Sequence, residues 1–409
     1  LVIEEIHYTQ TVFLATINSK NHMERFLFDL SIILVGAAVL SFLAVILKQP
    51  IIIAYIACGI FIGPSVMGWI KRPDFIEMVS HVGITLLLFL AGLCLHPQKL
   101  ARLFRKTIVV TFTNCLVSFL IAFTFSYIFH FNVIDSVYIG LALMFSSTIL
   151  TVKLLPTTTL HQQRMGAVCI GVLILEDLLA VLVLAFIRCM DLPQGALLGF
   201  ALLVLKVAIF VGLLLIFETF VLRKVMIKVE HLHEALLILG LAWCFGIASV
   251  SNHMGLFYET GAFFAGVAIA RHPISLFISE RLKPIRDFFL VLFFFTLGAK
   301  INLLVMKEIF PQALLLAAIF VFLKPWLFKK MFIAIGEQPS FAKETGMRLG
   351  QLSEFSLLIA ILAFSLGNIT IRASQLIQFV TIITFIASSY MVIFKYPTPV
   401  GTSEKLRRD

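Results

Sequence analysis

Thirteen runs of mostly apolar residues, separated by short charged loops, leave this chain few folds to choose from. They lie at 26–47, 50–70, 79–95, 107–130, 135–155, 166–190, 194–222, 234–252, 255–272, 285–302, 310–334, 344–367 and 373–394. A helix needs about 20 such residues to cross the hydrocarbon of a bilayer. In lipid every backbone polar group must be satisfied within the chain, and a helix does this segment by segment. The sequence therefore reads as an all-α membrane protein with about 13 transmembrane helices. Composition closes the soluble alternative: 60% of the 409 residues are hydrophobic and 13% charged, where a soluble domain carries about 25% charged residues.

The net charge of +10 does not mark a nucleic-acid partner, because the cations sit in short loops and form no basic face. They report topology instead. Counting cations at the ends of runs with the adjoining loop, loops after odd-numbered runs, with the C-terminal tail, hold 22 Lys and Arg; loops after even-numbered runs, with the N-terminal segment, hold 8. Cytoplasmic loops are the Lys- and Arg-rich ones, so the expectation is an outside N-terminus and a cytoplasmic C-terminus, in the cell (inner) membrane. Residues 1–25 read as an N-terminal extension, with Met23 a natural start, and 395–409 as a basic cytoplasmic tail. The six cysteines lie in or at the ends of apolar runs without metal or disulfide spacing, and read as small buried hydrophobes.

The transport domain, 26–394, carries an internal echo. Gly59 in IACGIFIGP matches Gly266 in FFAGVAIARHP, Gly92 in LLLFLAGLCL matches Gly298 in LFFFTLGAKI, and Ser147 in MFSSTIL matches Ser353 in GQLSEFS, at offsets of 206 or 207. That shift equals seven spans, and an odd number reverses direction through the membrane. Repeats at roughly 26–190 and 234–394 would be inverted copies joined by a connector at 194–222, a common plan among transporters. Ser146, Ser147 and Thr148 interrupt one span; Ser353 and Glu354 interrupt its repeat mate. The pair reads as two broken helices crossing at mid-membrane. C-terminal half-helix ends would favour cations there, and N-terminal ends an acid such as Glu354.

GVLILEDLLAVLVLAF (171–186) poses the chemical question, because Glu176 and Asp177 sit at its centre. Each acid costs about 2.5–3.5 kcal/mol at the middle of a spanning helix on insertion scales. Successive helix residues point about 100° apart, so the two acids face different surroundings. One can meet a hydrated cavity while the other meets a neighbouring helix. Lys324, in VFLKPWLF, is the basic partner expected at that depth, with Lys206 as the rival. Burial disfavours a charged carboxylate and a nearby ammonium favours it, which suits an acid that holds either a proton or a cation. Asp177 is accordingly the expected monovalent-cation site. No nucleotide-binding motif or cofactor signature occurs, so an ion gradient would supply the energy and the chain is not read as an enzyme.

Weaker signals complete the reading. Glu259 reads as a vestibule or interfacial acid. Asp29, Glu218, His81, His130 and His253 read as interfacial, and the run DFFLVLFFFTLG as lipid-facing and helix-packing surface.

Together these motifs resemble the monovalent cation:proton antiporter family, in the branch that includes bacterial potassium-efflux transporters and sodium/proton antiporters. QPIIIAYIACGIFIGP, GITLLLFLAGLCLHPQKL, MFSSTILTVKLL, GVLILEDLLAV, TGAFFAGVAIA, LFFFTLGAKINL and GQLSEFSLLIA follow the family order across 26–394. The resemblance implies thirteen spans in an inverted repeat, a core domain moving against a dimeric scaffold, and Na⁺ or K⁺ exchanged for H⁺. It implies that Asp177 binds the ion, that Lys324 is the basic residue paired with the site, and that Ser146–Thr148 and Ser353–Glu354 form the crossing. Glu176–Asp177 differs from the Gln-Asp and Asp-Asp pairs of relatives. Cys94 and His96 stand where many relatives carry acids, and no nucleotide-binding regulatory domain is expected after Asp409. A passive cation channel or a transport-inactive sensor on the same fold is the rival reading. An organic-anion symporter fits the buried acids less well.

Overall fold

A computed structural model describes residues 26–47, 49, 51–70, 74–93, 97–155, 160–189, 196–229, 232–256, 258–270, 272 and 274–398. The N-terminal extension, His96 and most of the basic tail lie outside the described residues. So do the side chains of Cys94 and Cys189.

The described chain is built of helices. In order they are α1 (Phe26–Ile46), α2 (Ile51–Ile62), α3 (Asp74–Leu93), α4 (Pro97–Ile128), α5 (Val133–Leu143), α6 (Thr148–Leu154), α7 (Leu160–Cys189), α8 (Ala196–Phe217), α9 (Arg223–Val229), α10 (His233–His253), α11 (Tyr258–Ile269), α12 (Ile274–Ala299), α13 (Leu303–Ala334), α14 (Pro339–Arg348), α15 (Glu354–Ser365) and α16 (Ile371–Lys395). A π-helical turn, Glu218–Leu222, joins α8 to α9. Seven helices among the described residues are long and apolar enough to cross a membrane alone. Joining α5 to α6, α8 to α9 and α14 to α15 groups the segments into thirteen helical units.

Two bodies emerge from the packing. α4, α5, α7, α13, α15 and α16 pack on one another, while α2, α3, α10, α11 and α12 form a second group. Glycines decide how the second group closes. A Cβ at Gly59 would stand 2.0 Å from the Phe295 carbonyl, and one at Gly298 would stand 2.0 Å from the Ile56 carbonyl. Gly92 and Gly266 repeat the arrangement, at 2.2 Å from Phe263 O and 2.1 Å from Phe89 O. α2 thus crosses α12, and α3 crosses α11, with backbone against backbone. These are the four glycines of the sequence echo. Each crossing joins one copy of the inverted repeat to the other, and small residues at such crossings are the usual membrane solution.

One expectation needs amendment. The Phe-rich run is mainly interior: Phe293, Phe294 and Phe295 are buried, and only Phe288 of that run is a large exposed aromatic. Glu218 follows the last residue of α8 and opens the π turn.

Candidate functional site: the crossing of two broken helices

Both breaks are built by their sequences. α5 ends at Leu143, and Phe145–Ser147 runs extended before α6 begins at Thr148. Ser147 caps α6, its hydroxyl accepting from Leu150 N at 3.1 Å. In the second break Ser353 caps α15, its hydroxyl accepting from Phe355 N at 3.1 Å. Serine satisfies helix-start amides well, so the matched serines are matched N-caps. The two extended segments meet in an antiparallel bridge between Ser146 and Leu352. Gln351 fastens the crossing, donating to Thr151 Oγ1 at 2.6 Å and accepting from Ser388 Oγ at 3.1 Å. Ser356 Oγ donates to the Ala142 carbonyl at 2.6 Å.

The expected acids and base converge here. Asp177 is 3% exposed. Both its carboxylate oxygens accept from Thr148 Oγ1, at 3.0 and 3.1 Å. Thr148 is the first residue of α6 and Glu354 the first of α15. Each buried acid therefore stands beside the amide-rich start of a half-helix, where negative charge is favoured. Glu354 lies near enough to Asp177 for the two carboxylates to interact electrostatically. An all-oxygen donor set of this kind suits a hard cation.

Glu176 faces the other way, as the helical angle requires. Its Oε1 accepts from Asn114 Nδ2 at 2.9 Å and its Oε2 from the Ser146 backbone N–H at 2.6 Å. Lys324 is fully buried. Its ammonium donates to the Phe145 carbonyl at 2.6 Å and to Ser146 Oγ at 3.2 Å. The expected base is thus at the site, but it holds the break and makes no direct ion pair with Glu176. Lys206 is exposed on α8 and is no rival.

A cavity of about 200 Å³ lies further along the same helices, lined by Leu184 and Leu358 and by none of the acids at the crossing. Leu184 on α7 and Leu358 on α15 form one wall; Ile84, Phe293 and Leu297 of the other helical body form the opposite wall. Its rim carries Glu259 and His81, 3.8 Å apart. Glu259 is a vestibule acid, one of its two expected roles.

Sequence reasoning missed two residues. Asn114 sits in an ordinary-looking apolar run, and nothing local shows that it reaches Glu176. Arg348 reads as a loop cation yet is 2% exposed. It donates to Leu154 O at 2.6 Å, to Pro397 O at 2.9 Å and to Glu344 at 2.6 and 3.1 Å.

Two helices broken at matched positions, crossing beside buried acids, define an ion transporter of the inverted-repeat type. The chain belongs to the sodium/hydrogen exchanger family, whose transmembrane model matches residues 30–394. Among relatives it is 25% identical to the iron transporter MagA of Paramagnetospirillum magneticum, over 84% of this chain and 80% of that one. It is 27% identical to the probable Na⁺/H⁺ antiporter GerT of Bacillus cereus, over 68% and 74% of the two chains. With K⁺ efflux antiporter 5 of Arabidopsis thaliana it shares 27% identity over 82% of this chain and 60% of the plant protein. The fold matches the sodium proton antiporter MjNhaP1 of Methanocaldococcus jannaschii at pH 8, with TM-score 0.67 over 91% of this chain and 95% of that one, at 18% identity.

Proposed function

We propose that the protein is a secondary-active antiporter exchanging Na⁺ or K⁺ for H⁺ by alternating access, with Asp177 as the group that carries either. The observation behind this reading is the placing of Asp177. A buried carboxylate stands beside the start of α6, accepting from the Thr148 hydroxyl, with the Glu354 carboxylate near it. An alkali cation needs a negative charge to replace its water. A proton on the same carboxylate removes that charge, so occupancy is exclusive. A channel needs no such exclusion, and the buried acid and base at one crossing disfavour the channel reading.

In this reading α4–α7 and α13–α16 form the moving core, and the glycine-closed group is the scaffold, paired with a second copy in a homodimer. Exposed apolar faces on α1 and α8 fit lipid or that second copy. The Lys and Arg distribution supports an outside N-terminus, a cytoplasmic C-terminus and a cell-membrane location. The cavity lies between core and scaffold near the starts of α3 and α11 and the ends of α12 and α15, the face this topology puts outside. No catalysis and no cofactor are invoked. The test is dye-monitored proton flux in proteoliposomes with Na⁺, K⁺ and Li⁺ added in turn. Wild-type protein that moves no protons in response to any of them refutes the proposal.

A further inference from the structure

The face of α4 that meets Glu176 carries polar atoms that the mechanism above does not use. Thr107, Thr111, Asn114 and Ser118 are all buried. Their spacing of four, three and four residues confines them to an arc of about 60° on one helix face. Thr111 Oγ1, Asn114 Oδ1 and Ser118 Oγ are buried without a hydrogen-bond partner. A buried hydroxyl on a membrane helix ordinarily donates back to its own backbone. Ser126, further along α4, does this, donating to Ala122 O at 2.7 Å. Thr111 and Ser118 do not. Leaving such atoms bare is costly, and ordered water is the usual remedy.

The neighbouring helix leaves room. Gly171 on α7 is buried, yet a methyl placed there would meet only the Thr107 methyl, at 3.6 Å. The part of the stripe between the start of the span and Glu176 has two defined ends. Thr107 begins the apolar span of α4. Asn114, about 10 Å further along the axis, donates directly to Glu176. Its free Oδ1 can hold a water beside the carboxylate that its amide contacts.

We propose that this stripe on α4 binds a file of water molecules, and that the file carries protons between Glu176 and the end of the molecule where α4 begins. The file gives Glu176 a proton contact with the face opposite the vestibule, while Asp177 still exchanges proton and cation by alternating access. Each hop breaks one O–H bond and forms the next. The water nearest Glu176 gives up a proton as the far end gains one, and rotation of the waters and hydroxyls resets the file. The Thr111 hydroxyl anchors the file between Thr107 and Glu176, Asn114 is a positioning residue for the water nearest the carboxylate, and the Ser118 hydroxyl holds a further water one turn past it. The role in exchange rests on the proposed antiport; the presence of the water does not.

The test combines two measurements on the full chain. Radiolytic hydroxyl labelling with mass spectrometry marks side chains beside ordered water. Cys115, only 5% exposed and next to the stripe, should label in the wild type and lose its label in Thr111→Val with Ser118→Ala. In proteoliposomes the same double variant should slow cation-driven proton flux about tenfold and enlarge the H₂O/D₂O rate ratio, with the KM for the cation unchanged. Thr111→Ser should stay near wild type, as should Ser126→Ala, whose hydroxyl is satisfied within its own helix. An unlabelled Cys115 in the wild type overturns the water file. So does a double variant with wild-type turnover and isotope effect, or a Thr111→Ser as slow as Thr111→Val, which assigns the residue to packing. A wild type that labels Cys115 but exchanges nothing defeats the antiport reading and the proton-carrying role, and leaves the bound water established.

Discussion

Lys324 and Glu176 hold opposite poles of a single peptide group. The ammonium donates to the Phe145 carbonyl at 2.6 Å, and the Ser146 N–H of the same peptide bond donates to the carboxylate at 2.6 Å. A trans peptide points its C=O and N–H in opposite directions. The two charges are therefore kept apart and are coupled through the peptide dipole. The break loses its helical hydrogen bonds and gains two charge-assisted ones, which are roughly twice as strong as neutral bonds. In the second break the corresponding N–H, of Leu352, donates to the neutral Thr384 hydroxyl, at 3.4 Å. The repeat is symmetric in backbone and asymmetric in charge.

This arrangement predicts non-additive stability. Lys324→Met should cost about 3–5 kcal/mol, because Glu176 is left buried and charged. Glu176→Gln should cost less, since its amide oxygen still accepts from Ser146. The double variant should recover at least about 1 kcal/mol of the summed loss, the coupling expected of residues in one network. Denaturation of the four proteins in detergent gives the cycle. Additive costs would show that the shared peptide does not couple the two charges.

Asp177→Asn should abolish cation-driven proton flux in a protein that still folds, because asparagine can neither bind the proton nor supply the charge. Thr148→Val keeps the acid and removes both of its observed hydrogen bonds. It should raise the cation KM about tenfold, the scale of one hydrogen bond to a charged group, and spare maximal turnover more than Asp177→Asn does. Flux at near wild-type rate in Asp177→Asn would remove this residue from the transport path.

Much of this site was legible because it is written in pattern. Ser147 and Ser353 announce two breaks by interrupting apolar runs at one offset, and both prove to be caps. Gly59, Gly92, Gly266 and Gly298 share that offset because each must admit a carbonyl where a Cβ would stand. Adjacent acids inside a 16-residue apolar stretch have few structural excuses. Partnership across the chain left no such trace. Asn114 lies 62 residues from Glu176, and an amide in a span carries no sign of what it touches. Charge complementarity suggested Lys324 as the partner of the acid pair; it could not reveal that a peptide group stands between it and Glu176. Arg348 hides because a cation near a loop is ordinarily solvated, and only the fold brings Leu154, Glu344 and Pro397 around it.

The glycine crossings predict a sharp ranking of alanine substitutions. Gly59→Ala and Gly92→Ala each force a methyl to within 2.0–2.2 Å of a facing carbonyl, so two helix backbones must separate. Overpacking of this kind costs about 1–3 kcal/mol. Gly212→Ala on α8 meets nothing within 4 Å and should be neutral or slightly stabilising. Unfolding temperatures in detergent should follow that order. Equal behaviour at Gly92 and Gly212 would mean that the α3–α11 crossing is not tight.

Arg348 should tolerate no substitute. Its guanidinium serves two carbonyls and a carboxylate at once, a fork that the single ammonium of lysine cannot reproduce. Arg348→Lys and Arg348→Ala should both destabilise, the latter by about 3–5 kcal/mol as Glu344 loses its buried partner. Protease should then cut the chain near Pro397 sooner, since one of the bonds lost ties the Pro397 carbonyl to α14. Unchanged proteolysis in Arg348→Ala would show that the segment is held by other contacts.

The last prediction concerns which face of the cavity is open. Ser365 ends α15 and lines the cavity with Leu358, about two turns deeper on the same helix. Leu358 is in turn one turn from Glu354, beside the acid centre. If this face is outside, a cysteine at Ser365 should react with a membrane-impermeant maleimide added to intact cells. A cysteine at Leu358 should react only while the cavity is open, and the attached group should stop exchange by wedging core from scaffold. The native thiols interfere little, since Cys58, Cys115, Cys169 and Cys244 are buried; replacing Cys94 and Cys189 with serine removes the other two. Saturating Na⁺ or K⁺ should change the labelling rate at Leu358→Cys and leave that at Ser365→Cys nearly constant, because only the deeper position senses which way the core has moved. Labelling of Ser365→Cys solely after the membrane is opened would reverse the proposed orientation. Labelling of Leu358→Cys at a rate indifferent to every cation would mean that cation binding does not move the core.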